Sequence, residues 1–284
     1  MSSLAANSIS SDGYEFTNEH FQMLRRLVSE HTGISLSDQK RDLLYGRLTR
    51  RLRVLGIEGF DQYCQLLESN PGDELQEFIN AVTTNLTSFF RENHHFEYLA
   101  DEVIPQLRKS NQLRGLRIWS AGCSTGEEPY SIAITLREKI TDIDSQDVRV
   151  VATDLDTAVV RTAANGVYDY SRIEGLPESI RRRWFLRGTG SNSGKVRVKQ
   201  EVRDMIDFSQ LNLMRPWPME SAYSIVFCRN VVIYFDKDTQ KVLFDRFADT
   251  IKPDGHLFIG HSETLHKLTD RFELIGKTIY RKQR

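Results

Sequence analysis

Residues 120–126 form a loop of small residues, SAGCSTG, between an apolar run at 116–119 and two acids, Glu127 and Glu128. An apolar run, a glycine loop and a helix in succession are typical of a nucleotide-type α/β site. A phosphate-binding loop would carry Lys after its second glycine, and an acid at a helix N-terminus opposes phosphate. The two carboxylates suit a ligand with hydroxyl or ammonium groups instead. The loop alone is equally compatible with a glycine turn between packed elements.

Asp154 ends a second apolar run, at roughly the distance beyond the glycine loop where a ribose-binding acid is expected. A carboxylate can accept hydrogen bonds from both ribose hydroxyls. Loop and acid together predict an adenosine-containing ligand without phosphate, and S-adenosylmethionine (SAM) has that chemistry. The alternative is that Asp154 caps the helix that follows it.

A scaffold of alternating strands and helices must position these residues, and the sequence from about residue 95 predicts one. Strands are predicted at 148–153, 223–228 and 256–260, with two short strands around Gly276, and helices at 94–109, 156–165 and 237–251. This order predicts a mostly parallel sheet with an antiparallel edge. Residues 17 to about 84 have helical patterns only, which predicts a small all-helical domain in front. The tail, 1–13, is small and polar, and we expect disorder there.

One segment interrupts the alternation of helix and strand. Residues 184–213 alternate apolar and polar side chains around a glycine-serine turn, which predicts two or three antiparallel strands. Val196, Val198 and Val202 are expected on one face, and the basic side chains on the other. The simple interpretation is a surface hairpin without function. An exposed basic strand edge could also accept a strand from another chain.

A predicted helix at 38–55 carries four arginines, Arg47, Arg50, Arg51 and Arg53, around a leucine face. The sequence has no acid between Asp42 and Glu58, so the helix itself supplies no i,i+4 carboxylate for them. We expect these arginines to be unpaired, as a solvated face or as a surface for an acidic partner. RNA phosphate is a weaker possibility, because no interleaved aromatic residues support base stacking.

The composition excludes several classes of protein. The 284 residues carry 38 basic and 39 acidic side chains, a net charge of −1, so bulk attraction to nucleic acid is absent. No apolar run reaches the roughly 20 residues of a membrane span, and no leader is evident. Three scattered cysteines suggest a reducing compartment. The histidines lack ligand spacing, and the adjacent pair His94 and His95 is interpreted as structural or solvated, so no metal is predicted.

Five strings of this sequence, in order, resemble the CheR family of chemotaxis receptor methyltransferases over nearly the whole chain. They are NLTSFFRE (85–92), WSAGCSTGEEPYS (119–131), ATDLD (152–156), FCRNVVIYF (227–235) and KPDGHLFIGHSE (252–263). The resemblance implies a cytoplasmic enzyme that transfers a methyl group from SAM to glutamate side chains of membrane chemoreceptors, leaving S-adenosylhomocysteine. The implied fold is α/β: a helical, receptor-facing domain at 14–84 and a class I (Rossmann-like) methyltransferase domain at 85–284, with a β-subdomain at about 184–210.

The resemblance also implies roles for individual residues. Tyr234 would face the transferring methyl group, and Arg91 would hold the methionyl carboxylate of SAM. The arginine helix would dock the acidic helical bundle of the receptor, and the β-subdomain edge could capture a receptor C-terminal peptide. The cofactor contacts implied are Asn85, Thr87, Arg91, Glu128, Asp154, Asn212, Leu213, Arg229 and Asn230.

Other functions remain as alternatives. The arginine helix favours a nucleic-acid methyltransferase, although the chain lacks the N/D-P-P-Y type of motif and has RNVVIY in that place. A module that senses SAM without catalysis is possible. An NAD-linked oxidoreductase fits less well, because Gly122 and Gly126 do not have the dinucleotide spacing. Without the resemblance, Tyr234 would be interpreted as an ordinary aromatic at a strand end.

Overall fold

The computed structural model describes residues 13–69, 72–218 and 223–283. They divide into two compact units, one formed by residues up to Thr84 with Tyr234–Asp236, the other by Asn85–Ile233 with the chain from Lys237 onward. The first unit ends at Thr84, and Tyr234–Asp236 groups with it rather than with the surrounding chain. The predicted disordered tail, apart from Gly13, lies outside the described residues.

The first unit is helical, with α1 (Asn18–Thr32), α2 (Arg41–Leu55), α3 (Phe60–Ser69) and α4 (Glu74–Val82). Thr17 begins α1 with a reciprocal cap, because its side chain accepts from the His20 backbone N–H and the His20 ring bonds the Thr17 N–H. Gly33 and Gly56 end α1 and α2 in the left-handed conformation that glycine adopts without strain.

The leucine face predicted for α2 is the face that this helix buries. Leu44, Leu48 and Leu52 are fully or almost fully buried, whereas Leu55 at the helix end is partly exposed. Three leucines at intervals of four residues therefore anchor α2 in the helical core, and the arginines take the remaining sides.

The second unit is built on a seven-stranded sheet in the order β6-β2-β1-β7-β8-β10-β9. The strands are β1 (Arg117–Ala121), β2 (Arg149–Asp154), β6 (Ile206–Gln210), β7 (Tyr223–Cys228), β8 (Ile251–Ile259), β9 (Phe272–Gly276) and β10 (Ile279–Lys282). The first five in the order pair in parallel, and β10 is antiparallel to both β8 and β9. The predicted mixed sheet with an antiparallel edge is confirmed. Every residue of the central strand β7 is buried.

Three helices pack against strands of this sheet: α7 (Glu127–Lys139), α8 (Thr157–Asn165) and α11 (Lys237–Thr250). Two shorter helices, α9 (Glu178–Trp184) and α10 (Gln200–Arg203), lie between α8 and β6 along the chain. The helix predicted at 94–109 consists of α5 (His94–Tyr98), a π-helical turn (Leu99–Val103) and α6 (Ile104–Lys109). Within the described residues, no helix has both the length and the apolar character that crossing a bilayer requires.

The small sheet differs from the predicted β-subdomain at 184–210. It has the order β3-β5-β4, with β3 (Val167–Asp169), β4 (Phe185–Arg187) and β5 (Lys195–Val198). The prediction missed β3, and it was wrong to include β6, which joins the main sheet in parallel with β2. Alternation with period two cannot distinguish an antiparallel hairpin from a parallel edge strand, and this ambiguity caused the error. Val196 and Val198 are buried as expected, while Val202 is buried on the short helix α10.

Candidate active site

The carboxyl ends of four neighbouring parallel strands meet at one edge of the main sheet. The glycine loop follows β1, Asp154 ends β2, Asn212 follows β6 and Arg229 follows β7. The strand order reverses direction between β1 and β7, with β2 and β6 on one side and β8 on the other. Open α/β sheets bind their ligands in the crevice at such a switch point. The topology therefore brings four of the sequence-predicted positions to a common edge.

The glycine loop is fixed to the end of β2 and packed from both sides. The Gly122 and Cys123 backbone N–H groups donate to the Thr153 carbonyl oxygen, at 2.8 and 2.9 Å. Gly122 has a φ of 104°, and a Cβ there would lie 2.3 Å from Val231 Cγ2. A Cβ on Gly126 would meet Ala163 Cβ at 2.8 Å. Close packing between elements thus demands both glycines, whatever the loop binds.

Asp154 presents its carboxylate to the glycine loop. Its Oδ2 accepts from the Ser124 N–H at 2.8 Å, and its Oδ1 accepts from the Asp156 N–H at 3.0 Å. Loss of hydration outweighs these two bonds and raises the pKa of Asp154 to about 6. The helix-capping role considered for Asp154 belongs to Asp156, whose Oδ1 accepts from the first amides of α8. Asp154 is therefore available for another function.

Asn85 lies against the same loop. Its Nδ2 donates to Asp156 Oδ2 at 2.8 Å, and its carbonyl oxygen accepts from the Ser124 hydroxyl at 3.0 Å. Two residues on, the Thr87 carbonyl oxygen accepts from Arg172 Nη2 at 2.8 Å. Arg172 also pairs with the fully buried carboxylate of Glu127. No sequence pattern indicates these contacts, because no motif surrounds Arg172 and its partners lie 85 and 45 residues away.

Arg91 is half-buried, and its Nη1 donates to the Leu86 carbonyl oxygen at 2.7 Å. The turn that carries Arg91 is tightly folded, because Phe90 and Glu92 on either side both have positive φ, 54° and 56°. The Phe90 N–H donates to the Ser131 hydroxyl on α7 at 2.9 Å, which holds this turn beside the helix that follows the glycine loop.

Glu128 and Arg229 form a buried ion pair beneath the loop. Glu128 Oε2 lies 3.0 Å from Arg229 Nη1, and Glu128 Oε1 accepts from the Ser120 hydroxyl at 2.7 Å. Burial raises the pKa of Glu128, and the Arg229 guanidinium opposes that rise. Arg229 Nη2 also lies 3.3 Å from Glu92 Oε2. Glu128 and Arg229, which were predicted as separate cofactor contacts, thus bind each other. Their separation of 101 residues means that no local sequence pattern indicates this pair.

A buried carboxylate, Glu263, organises the turn after β7. It accepts from the backbone N–H groups of Asn230 (2.9 Å), Gly260 (2.6 Å) and Ile233 (3.3 Å). Asn230 has a positive φ of 58°, and a Cβ on Gly260 would lie 2.4 Å from Asn230 Nδ2. The sequence string GHSE contains Glu263, but only the fold shows which backbone N–H groups its carboxylate binds. The carboxylate accepts the hydrogen bonds that these groups could otherwise donate to a bound anion.

Asn212 and Leu213 leave the end of β6 beside β2. The Leu211 N–H donates to the Asp154 carbonyl oxygen at 2.9 Å, and Asn212 Oδ1 accepts from the Met214 N–H at 2.9 Å. Leu213 is buried, and its carbonyl oxygen accepts from Trp217 Nε1 at 3.2 Å. The fold thus brings Leu213 into the core and leaves Asn212 half-buried at the sheet edge.

In the helical unit, the four arginines have different environments. Arg47 donates to the Val82 and Thr83 carbonyl oxygens at the end of α4. Arg51 pairs with the buried carboxylate of Glu74, its Nε lying 2.8 Å from Oε1. The expectation of unpaired arginines is wrong for Arg51, because a carboxylate on another helix reaches it. The remaining two, Arg50 and Arg53, are exposed.

Tyr234 belongs with its two successors to the same helical unit. The Ser35 backbone N–H donates to the Tyr234 carbonyl oxygen at 2.8 Å, and the tyrosine side chain is half-buried. Charge on the phenol would stabilise the Arg47 guanidinium, although burial lowers the pKa of Arg47 overall. Its role toward a methyl group stays a prediction.

Comparison with known proteins gives matches along nearly the whole chain. Residues 85–281 match the family described as CheR methyltransferase, SAM binding domain, and residues 19–83 match CheR methyltransferase, all-alpha domain. The chain is 47% identical to chemotaxis protein methyltransferase 2 of Pseudomonas aeruginosa, covering 94% of each protein. It is 46% identical to the chemotaxis protein methyltransferase of Escherichia coli, covering 93% of this chain and 91% of that one.

Proposed function

The chain belongs to the CheR methyltransferase family and is a SAM-dependent methyltransferase, and we propose that it methylates glutamate side chains of chemoreceptors. The observation that carries this proposal is the crevice at the carboxyl ends of β1, β2, β6 and β7. The carboxylate of Asp154 and the buried pair Glu128–Arg229 adjoin the glycine loop there. We infer a cytoplasmic enzyme, in keeping with three thiols that form no disulfide among the described residues.

The residues around the crevice fit the parts of SAM. Asp154 is proposed to accept hydrogen bonds from the ribose hydroxyls, since its oxygens retain lone pairs beyond the two amide bonds. Arg91 is proposed to turn its guanidinium to the methionyl carboxylate. Glu128 is proposed to attract the ammonium group, because Arg229 is shared between two carboxylates, Glu128 and Glu92, and leaves net negative charge there. Other proposed contacts of the cofactor are Asn85, Thr87, Asn212, Leu213, Arg229 and Asn230.

The acceptor needs no general base in this reaction. A glutamate with a pKa of about 4.3 is ionised at neutral pH and is already a nucleophile. One carboxylate oxygen attacks the methyl carbon, and the carbon–sulfur bond breaks with its electron pair remaining on sulfur. The products are a glutamyl methyl ester and S-adenosylhomocysteine. SAM supplies the electrophilic methyl group, and the chain supplies alignment and exclusion of water, which account for most of the acceleration.

Docking of the receptor is proposed for the exposed side of α2. Arg50 and Arg53 are exposed there, and Leu43 and Val54 on the same helix are exposed apolar side chains. Arg47 and Arg51, whose guanidinium groups bind within the helical unit, contribute mainly by positioning α2. We propose that Tyr234, as in the family resemblance, lines the path of the methyl group.

A receptor C-terminal peptide is proposed to add a strand to the small sheet. The outer strands of this sheet are β3 and β4, and Leu186 on β4 has 53% of its surface exposed. Lys195 and Arg197 on the central strand are also exposed and give the sheet a basic face. A peptide that adds a strand to a sheet forms main-chain hydrogen bonds with the outer strand, and pockets for its side chains give specificity.

The test is transfer of a radiolabelled methyl group from SAM to the cytoplasmic fragment of a chemoreceptor. A glutamyl ester releases volatile methanol in mild alkali, whereas a methylated amine retains its label, so alkaline release identifies the product. We expect alkali-labile incorporation with the wild type and little with Asp154→Ala. Label that survives alkali, or that enters RNA instead of the receptor, would overturn the proposal.

A further inference from the structure

Glu92, His94 and His95 bring three potential metal ligands together at the start of α5. One ligand atom from each, two imidazole nitrogens and a carboxylate oxygen, lies within 4.8 Å of the other two. The positive φ of Glu92, 56°, folds the chain back so that its carboxylate faces the histidine three residues later. Sequence adjacency of the two histidines argued against a shared site, but the local fold brings their rings to a centroid distance of 4.1 Å.

The hydrogen bonds of the two histidines fix which nitrogen has a lone pair. The Lys277 carbonyl oxygen lies 3.2 Å from His94 Nε2 and 3.1 Å from His95 Nε2. A carbonyl oxygen only accepts, so both rings carry hydrogen on Nε2 and a lone pair on Nδ1. The Thr278 hydroxyl donates to the same carbonyl and so also accepts from His95. Metal-binding histidines characteristically donate their other N–H to a backbone carbonyl in this way.

The lone pair on His95 Nδ1 is in an unfavourable environment. His95 has 0% of its surface exposed, and within the part of the chain that the structure describes Nδ1 has no hydrogen-bond partner. Glu92 Oε2 lies 3.7 Å from this nitrogen, too far for a hydrogen bond between the two. A buried lone pair therefore faces a negative oxygen, and a cation between them would convert repulsion into two bonds.

The Glu92 carboxylate is itself held in place. The His261 backbone N–H donates to Oε2 at 3.1 Å, and the His261 ring Nδ1 lies 3.0 Å from Oε1. Arg229 Nη2 lies 3.3 Å from Oε2, so its positive charge competes with a metal for this carboxylate. Hydrogen bonds of this kind orient ligating carboxylates, while the guanidinium lowers the affinity that the site can reach.

We propose that Glu92, His94 and His95 form a binding site for a divalent transition-metal ion of the zinc class. Two neutral imidazoles and a carboxylate suit Zn²⁺ or Co²⁺, whereas Mg²⁺ and Ca²⁺ prefer oxygen ligands only. Three protein ligands leave a fourth position for water. The site ties α5 to the turn between β9 and β10 through Lys277. Through Arg229 it adjoins the proposed cofactor contacts, although methyl transfer itself needs no metal.

The experiment uses the full chain without an affinity tag, freed of metal with a chelator. Zn²⁺ is titrated by calorimetry, and Co²⁺ by the visible absorption that a four-coordinate ion acquires. We expect one ion per chain and no competition from excess Mg²⁺. Glu92→Gln and His94→Ala should each weaken binding by about tenfold or more. The matched control is His266→Ala, which removes an exposed histidine outside the cluster.

His94 is half-exposed, so His94→Ala should fold, and circular dichroism checks this for each variant. Absence of Zn²⁺ uptake by the wild type, or equal affinity in wild type and both cluster variants, overturns the proposal. A loss in His266→Ala as large as in His94→Ala would also overturn it, since surface histidines would then be the ligands. These measurements do not depend on methyl transfer, so they test the metal site even if the proposed function is wrong.

Discussion

The affinity for SAM is expected to fall as the pH is lowered through about 6, the value to which burial raises the pKa of Asp154. The ionised carboxylate accepts hydrogen bonds from two ribose hydroxyls, whereas the protonated form must use one oxygen as a donor. Binding therefore favours the deprotonated form. The affinity for SAM is therefore highest above the pKa of Asp154 and falls as the pH decreases below it.

The size of the effect follows from the fraction of ionised carboxylate. One pH unit below its pKa a carboxyl is ionised in about one molecule in eleven, and the apparent Kd rises by the reciprocal of that fraction. From about pH 8 to about pH 5, Kd should rise about tenfold, or roughly 1.4 kcal/mol. Of the nearby carboxyls, Glu92 stays ionised throughout, because bonds from His261 and Arg229 overcome its burial and lower its pKa to about 2. Burial also raises the pKa of Glu128, so a control must distinguish titration of Asp154 from titration of Glu128.

Calorimetric titration of SAM across this pH range tests the expectation. Asp154→Asn is the control, because it keeps the shape of the side chain and cannot titrate. We expect weak binding with a nearly flat pH profile for this variant. A wild-type Kd that stayed constant over the range would contradict a ribose contact through the ionised Asp154 carboxylate. An equal slope in wild type and Asp154→Asn would make Glu128 the leading candidate for the titrating group.

Four further expectations concern the loop, two of the arginines and the tyrosine. Gly122→Ala should lower the free energy of unfolding by at least about 2 kcal/mol in urea, because its Cβ overlaps a neighbouring side chain at positive φ. Gly46→Ala on an open helix face is the control and should raise it by roughly 0.5–1 kcal/mol. Arg51→Met should destabilise the protein by about 3 kcal/mol by leaving a buried carboxylate unpaired, which equal melting of variant and wild type would contradict. Arg50→Glu should shift stability by no more than about 0.5 kcal/mol while raising the receptor KM at unchanged SAM affinity. Tyr234→Phe should lower kcat by about tenfold with SAM affinity kept, and the reverse pattern would reassign this tyrosine to cofactor binding.

Elements with strong local signals were predictable from the sequence. The buried strand at 223–228, the helix after the glycine loop and the leucine face of α2 all occur as expected. The β-subdomain was only partly predictable, because period-two alternation says which residues are buried and leaves the partner strand undetermined. Strand Ile206–Gln210 therefore appeared to continue a hairpin, whereas it pairs in parallel with a strand more than fifty residues earlier.

The same division holds within the candidate site. The place of Asp154 at the end of a strand was predictable, because an apolar run that ends in an acid is a local pattern, and its role toward a ribose stays a prediction. The contacts of Glu263 and Arg172 were not predictable, because both side chains bind backbone groups that are distant in sequence. The buried pair of Glu128 and Arg229 spans 101 residues, so no local pattern could join them.

By itself, the sequence determined the helical character of the first unit, the buried strands of the main sheet, the glycine loop and the acid that follows it. These depend on propensities and periodicities that act over a few residues. Only the tertiary structure decided which charges meet: Arg51 with Glu74, Arg229 with Glu128, and Glu92 with the histidine pair. The physical reason is that a charge is stabilised by whatever lies within a few ångströms, and packing brings those neighbours from remote parts of the chain.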